Sequence, residues 1–159
     1  MSSDLRDLYQ DVILDHGKKP RNAHAIENAT LTQEASNPLC GDKGTLYLSM
    51  DSHNATIVEA AYVGQGCSIS TASASILTDF VRGKTRAEAL ATFDLFHAMI
   101  TAPPDEASHR AVPELGKLSV FSGVAEFPAR VKCATLAWHA LRTALMAETK
   151  APLAAVSTE

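Results

Sequence analysis

The chain has 159 residues, 46% hydrophobic and 20% charged, with a formal net charge of −4. That balance suits one soluble globular domain with a real core and excludes a disordered chain. The 14 Lys and Arg are spread along the sequence rather than clustered, so neither nucleic acid nor a membrane surface is an expected partner. No run reaches the ~18 apolar residues of a membrane span. Residues Met1–Asp7 lack the basic and apolar regions of a secretory signal, so the expected location is cytoplasmic.

Leu5, Leu8, Tyr9, Val12 and Ile13 recur at helical spacing, predicting a helix over residues 4–16 that stops at Gly17. Residues 20–28 read as a loop and 29–36 as a weak strand. Thr45–Met50 alternates, Asp51-Ser52-His53-Asn54 has turn chemistry, and Thr56–Val63 is β-branched and aromatic; together they predict an antiparallel hairpin. Gly64-Gln65-Gly66 ends that strand, and a helix follows from Ser68 to Gly83. The small residues Ser70–Ser75 on this helix invite a close neighbour. Thr85 and Glu88 form a capping box for a helix closed by Pro103-Pro104. Residues 103–113 read as an exposed connection. Leu115, Leu118 and Phe121 predict a short helix ending at Gly123, and Pro128 opens a long last helix. Strands segregated from helices argue an α+β fold.

The three cysteines occupy distinctive positions. Cys40 lies in Asn37-Pro38-Leu39-Cys40-Gly41-Asp42. In an extended segment, positions i and i+2 point the same way, so the Cys40 thiol and the Asp42 carboxylate can face one point. Cys67 follows Gly64-Gln65-Gly66 at a helix start, and Cys133 lies in the first turns of the last helix after Arg130 and Lys132. Free N–H groups and positive charge at such places favour a thiolate. An odd number of cysteines without an export signal does not suggest a disulfide framework. Buried thiols, a metal site and a reactive thiol remain as readings. Three thiolates and a carboxylate make a tetrahedral set that suits Zn²⁺, with sulfurs roughly 3.7 Å apart; iron–sulfur ligation is the other thiolate chemistry. The six histidines (His16, His24, His53, His97, His109 and His139) read as structural or solvent residues, with His16 at a helix C-terminus that favours a cation.

The segments Leu8–His16, Lys19–Asn22, Asn37–Asp42, Gly64–Ser75 and Phe127–Trp138 resemble the SufU branch of the IscU/NifU-like family, over residues 5–147. Scaffold relatives carry a histidine just before the third cysteine, where this chain has Lys132; their segment between the second and third cysteines is also shorter. The resemblance implies a small antiparallel sheet of about three strands with helices packed against it. It implies one domain over 1–147 and a flexible tail over 148–159. It further implies Zn²⁺ held by Cys40, Asp42, Cys67 and Cys133, with Cys40 accepting sulfur; Arg130, near Cys133 in sequence, is the candidate to stabilise the freed thiolate or the persulfide. The implied partners are a SufS-type, pyridoxal-phosphate-dependent cysteine desulfurase and a downstream iron–sulfur assembly scaffold. The implied activity is zinc-dependent sulfur transfer, with iron–sulfur scaffolding as the alternative.

Overall fold

The computed structural model describes residues 3–37, 41–102, 113–146 and 156–157. Helix α1 spans Ser3–Lys18 and runs through Gly17, where a stop was expected. The glycine serves close packing instead: a Cβ there would sit 3.2 Å from both the Cβ and the carbonyl oxygen of Ser68. Lys19 N–H bonds to Asp15 O at 2.8 Å as the helix closes.

Strands β1 (Leu31–Asn37), β2 (Asp42–Met50) and β3 (Ile57–Gln65) form an antiparallel meander. The β1–β2 register runs from Leu31 opposite Leu48 to Asn37 opposite Asp42. Strand β2 therefore begins three residues before the alternating stretch read from the sequence. Asp51 organises the β2–β3 turn by accepting from the N–H groups of Ala55 (2.9 Å) and Thr56 (3.2 Å). Strand β4, Val156–Ser157, lies parallel to β1 at Ala35 and Ser36. The sheet order is β3-β2-β1-β4. Of the segment 148–159 read as a tail, residues 148–155 and 158–159 lie outside the described residues. So do 103–112 of the expected connection.

Helix α2 spans Ser68–Val81 and α3 spans Arg86–Thr101, the latter opened by the expected Thr85–Glu88 capping box. Pro113–Glu126 is 3-10 helix, kinked at Gly116. Leu115, Leu118, Phe121 and Val124 are all buried and recur every three residues. That is the 3-10 period, on which i and i+3 eclipse, so the sequence pattern marked this element but not as an α-helix. Helix α4 spans Pro128–Met146.

Helices α2 and α4 cover the inner face of the sheet, where Leu31, Ala35, Leu46, Leu48 and Ile57 join Trp138 and Leu141 in one core. The small face of α2 is buried and admits α4: Ser73 Oγ donates to Ala134 O at 2.6 Å and accepts from Trp138 Nε1 at 3.1 Å. Phe96 stacks on Trp138 with centroids 4.7 Å apart and meets Phe121 edge-on.

Candidate metal centre

Three chain segments bring donor atoms together at one end of the sheet. Asp42 opens β2, Cys67 precedes α2, and Cys133 lies within α4. Their ligand atoms, one carboxylate oxygen and two sulfurs, all lie within 4.8 Å of one another. Asp42 is 1% exposed and Cys133 3%, while Cys67 is half-buried. A buried carboxylate must be met by donors or a cation. Asp42 Oδ1 accepts the Cys67 backbone N–H at 3.1 Å, which ties the strand to the helix start.

Cys67 is the N-cap of α2 in extended conformation (φ −70°, ψ 170°), and its sulfur accepts the Ser70 N–H at 3.5 Å. The orphan amides of a helix start thus face this sulfur. Cys133 is placed differently. It is the sixth residue of α4, beyond the first turn in which the dipole acts, and its thiol donates to Ala129 O at 3.6 Å.

Two thiols and a carboxylate are donors that suit Zn²⁺, leaving room for a fourth ligand in a tetrahedron. Cys40, the fourth residue of the expected set, lies outside the described residues. Arg130 is exposed, one turn ahead of Cys133 on α4, and i, i+3 neighbours share a helix face. Lys132 is also exposed.

Several neighbours of the site carried no chemical signal in the sequence. The Tyr62 ring lies across Gly44 and Gly64, which face each other on β2 and β3. Burial, and then the negative charge of Asp42, push the Tyr62 phenol up to about 12, so it stays protonated. The sequence placed His16 at a helix end that favours a cation, as a structural or solvent residue. It is 2% exposed, a structural residue with Nδ1 2.7 Å from Ser75 Oγ. Burial first, and then the positive charges of Arg21 and Lys117, hold its pKa below the usual histidine value. A long-range contact of this kind has no trace in local sequence. No helix among the described residues is long and apolar enough to cross a membrane.

The family model of the NifU-like N-terminal domain matches residues 8–134. An iron–sulfur cluster assembly scaffold protein IscU of Streptococcus pyogenes is 41% identical over 143 residues, 90% of this chain and 86% of that protein. The zinc-dependent sulfurtransferase SufU of Bacillus subtilis is 37% identical over 147 residues, 92% and 95% of the two chains. A crystal structure from Fervidobacterium islandicum, of a candidate scaffold protein for iron–sulfur assembly in the SUF system, superposes with a TM-score of 0.77 at 33% identity. It covers 91% of this chain and 99% of its own. On these matches and on its three-stranded antiparallel meander with packed helices, the chain belongs to the NifU-like N-terminal domain family, among the IscU and SufU proteins of iron–sulfur cluster assembly.

Proposed function

We propose that this chain is a zinc-dependent sulfurtransferase, with residues 1–147 as its working domain. It takes persulfide sulfur from a SufS-type, pyridoxal-phosphate-dependent cysteine desulfurase and passes it to an iron–sulfur assembly scaffold in the cytoplasm. The observation that carries this reading is the convergence of Asp42, Cys67 and Cys133 from three separate segments. Zn²⁺, when bound, keeps coordinating thiols deprotonated at neutral pH. Asp42, Cys67 and Cys133 are the anchored ligands, one at a strand start, one at a helix N-cap and one within a helix. Cys40 completes the set and is the sulfur acceptor. Two residues ahead of Asp42, it is tethered by the chain within about 7 Å of that Cα.

In the transfer step the Cys40 thiolate attacks the outer sulfur of the desulfurase persulfide. A new S–S bond forms on Cys40 while the partner's S–S bond breaks, and the electron pair leaves with the partner's cysteine as a thiolate. No net oxidant is consumed. Arg130, exposed beside this face, offers its guanidinium to the freed thiolate or the new persulfide.

The 41% identity to the Streptococcus pyogenes scaffold favours a second reading, cluster assembly on the same residues. Lys132 weighs against it, because an ammonium cannot replace the histidine that scaffold relatives carry before the third cysteine. The test is metal analysis of the purified chain together with incubation with its desulfurase and free cysteine. One zinc per chain, and a mass gain of one sulfur atom that Cys40→Ala abolishes while the fold survives, is the expected result. Sulfur uptake by Cys40→Ala overturns the acceptor assignment. A labile coloured cluster that passes to an acceptor protein, without sulfur uptake, selects the scaffold.

A further inference from the structure

The donor atoms of the centre meet across a residue that has none. Gly66 lies between the end of β3 and the N-cap Cys67. Its backbone is outside the left-handed region, which Gly41, Gly83 and Gly116 occupy, so the chain conformation there accepts an L side chain. Space does not. A Cβ on Gly66 would stand 2.8 Å from Asp42 Cγ, closer still to Oδ1, and 3.2 Å from Ser70 Oγ. The carboxylate thus rests directly on the Gly66 Cα, in the position from which Oδ1 takes the Cys67 N–H. Resting on the proposed function above, we propose that Gly66 is a positioning residue for the metal centre. The missing methyl group is the space that seats the Asp42 carboxylate against Cys67 and alongside Cys133.

The direction of response follows from which atoms can move. The carboxylate is the far end of a side chain with two rotatable bonds, whereas the Gly66 backbone is held between a strand and a capped helix. Alanine at 66 therefore turns the carboxylate aside and leaves the sheet and helix in place. The change falls on one oxygen ligand and spares both thiols.

The experiment compares Gly66→Ala, Asp42→Ala and the double variant with the unaltered chain. Gly66→Ala is expected to melt within a few degrees of the unaltered chain when metal-free. Its Zn²⁺ affinity, read by competition with a chromogenic chelator, falls by about 10–100-fold, as for other residues that orient a ligand. The double variant binds Zn²⁺ no more weakly than Asp42→Ala alone, because both changes remove the same contact. With Co²⁺ as the probe, Gly66→Ala keeps the thiolate charge-transfer bands while its ligand-field bands move to those of Asp42→Ala. In the metal-free protein, the Cys67 amide exchanges faster in Gly66→Ala. Unaltered Zn²⁺ affinity and Cys67 exchange in a folded Gly66→Ala, or additive losses in the double variant, overturn the proposal. If Gly66→Ala does not fold, recovery of folding in the double variant supports it and continued failure overturns it. If the unaltered chain binds no Zn²⁺, the functional reading falls while Cys67 exchange still decides this inference.

Discussion

Helices α2 and α4 behave differently at their middles and at their N-terminal ends. In the middle they form a closed seam, where Ser73 bridges the Ala134 carbonyl and the Trp138 indole and every polar atom of that bridge is satisfied within the chain. At the ends they present sulfur, from Cys67 and Cys133, toward the Asp42 carboxylate of β2. The two regimes on α4 adjoin, because Cys133 directly precedes Ala134. The seam thus fixes where Cys133 stands, the helix cap fixes Cys67, and the hairpin register fixes Asp42. A closed interior thus holds two thiols and a carboxylate within ligand distance of one another.

The largest expected effect comes from breaking the seam. Trp138 is fully buried, stacks on Phe96 and bonds to Ser73. Trp138→Ala should cost about 3–5 kcal/mol of stability in urea denaturation, and it should also weaken Zn²⁺ binding by more than the loss of folded chain accounts for. Normal Zn²⁺ affinity in a destabilised protein would show that the seam does not position Cys133. Next comes the metal itself. Zn²⁺ at a hundred times its dissociation constant should stabilise the chain by about 2.7 kcal/mol, and Asp42→Ala should remove most of that gain at the same concentration. An unchanged melting curve on adding Zn²⁺ would show that the folded chain does not bind the ion in preference to the unfolded one.

Cys67→Ser sharpens the comparison more finely. Serine is a favoured N-cap, so the Ser70 N–H keeps an acceptor while the metal loses a thiolate. Metal-free stability should change by less than about 1 kcal/mol, whereas Zn²⁺ binding should be lost. A large metal-free loss would mean that the sulfur supports the fold through more than its capping bond.

The seam and the centre were legible in the sequence to different degrees. The small stripe Ser70–Ser75 called for a close neighbour without naming it, Pro128 marked the start of the last helix, and the capping box at Thr85 stands where expected. These features rest on local periodicity, which sequence carries directly. Asp42, Cys67 and Cys133 were singled out by residue type, local setting and family resemblance; their meeting depends on strand register and helix packing, which no local pattern encodes. Gly66 was read only as a strand breaker, because a glycine whose φ is ordinary gives no sign that a carboxylate rests against it. The segment Pro113–Glu126 was legible only as a short helix ending at Gly123, because three apolar residues at spacing three fit both the α and the 3-10 period and do not choose between them.

The smallest effect is a dependence of stability on pH from His16, at the contact between α1 and α2. Ser75 Oγ accepts the Arg21 N–H at 2.8 Å and can donate to His16 Nδ1, while His16 Nε2 has no hydrogen-bond partner among the described residues. Arg21 and Lys117 further oppose a positive charge there, only partly offset by Asp15 and Asp79. The folded chain therefore refuses a proton that the unfolded chain accepts below about pH 6.5. With more protons bound in the unfolded state, stability rises with pH through that window. It should be fully present above about pH 6.5 and decline as pH falls toward the lowered folded value. Asp15, Asp51 and Glu88, also held below their usual values, contribute losses only in the more acidic carboxylate range. His139, likewise lowered by burial and by His97, adds a decline of the same sign, so the whole-protein slope alone does not isolate His16. Urea denaturation of the metal-free chain across this window, with and without His16→Gln, does so. The variant should be less stable than the unaltered chain at neutral pH and should lose less on acidification. Parallel pH profiles for the two proteins would show that His16 takes up its proton equally in both states, and that the α1–α2 contact tolerates a buried charge.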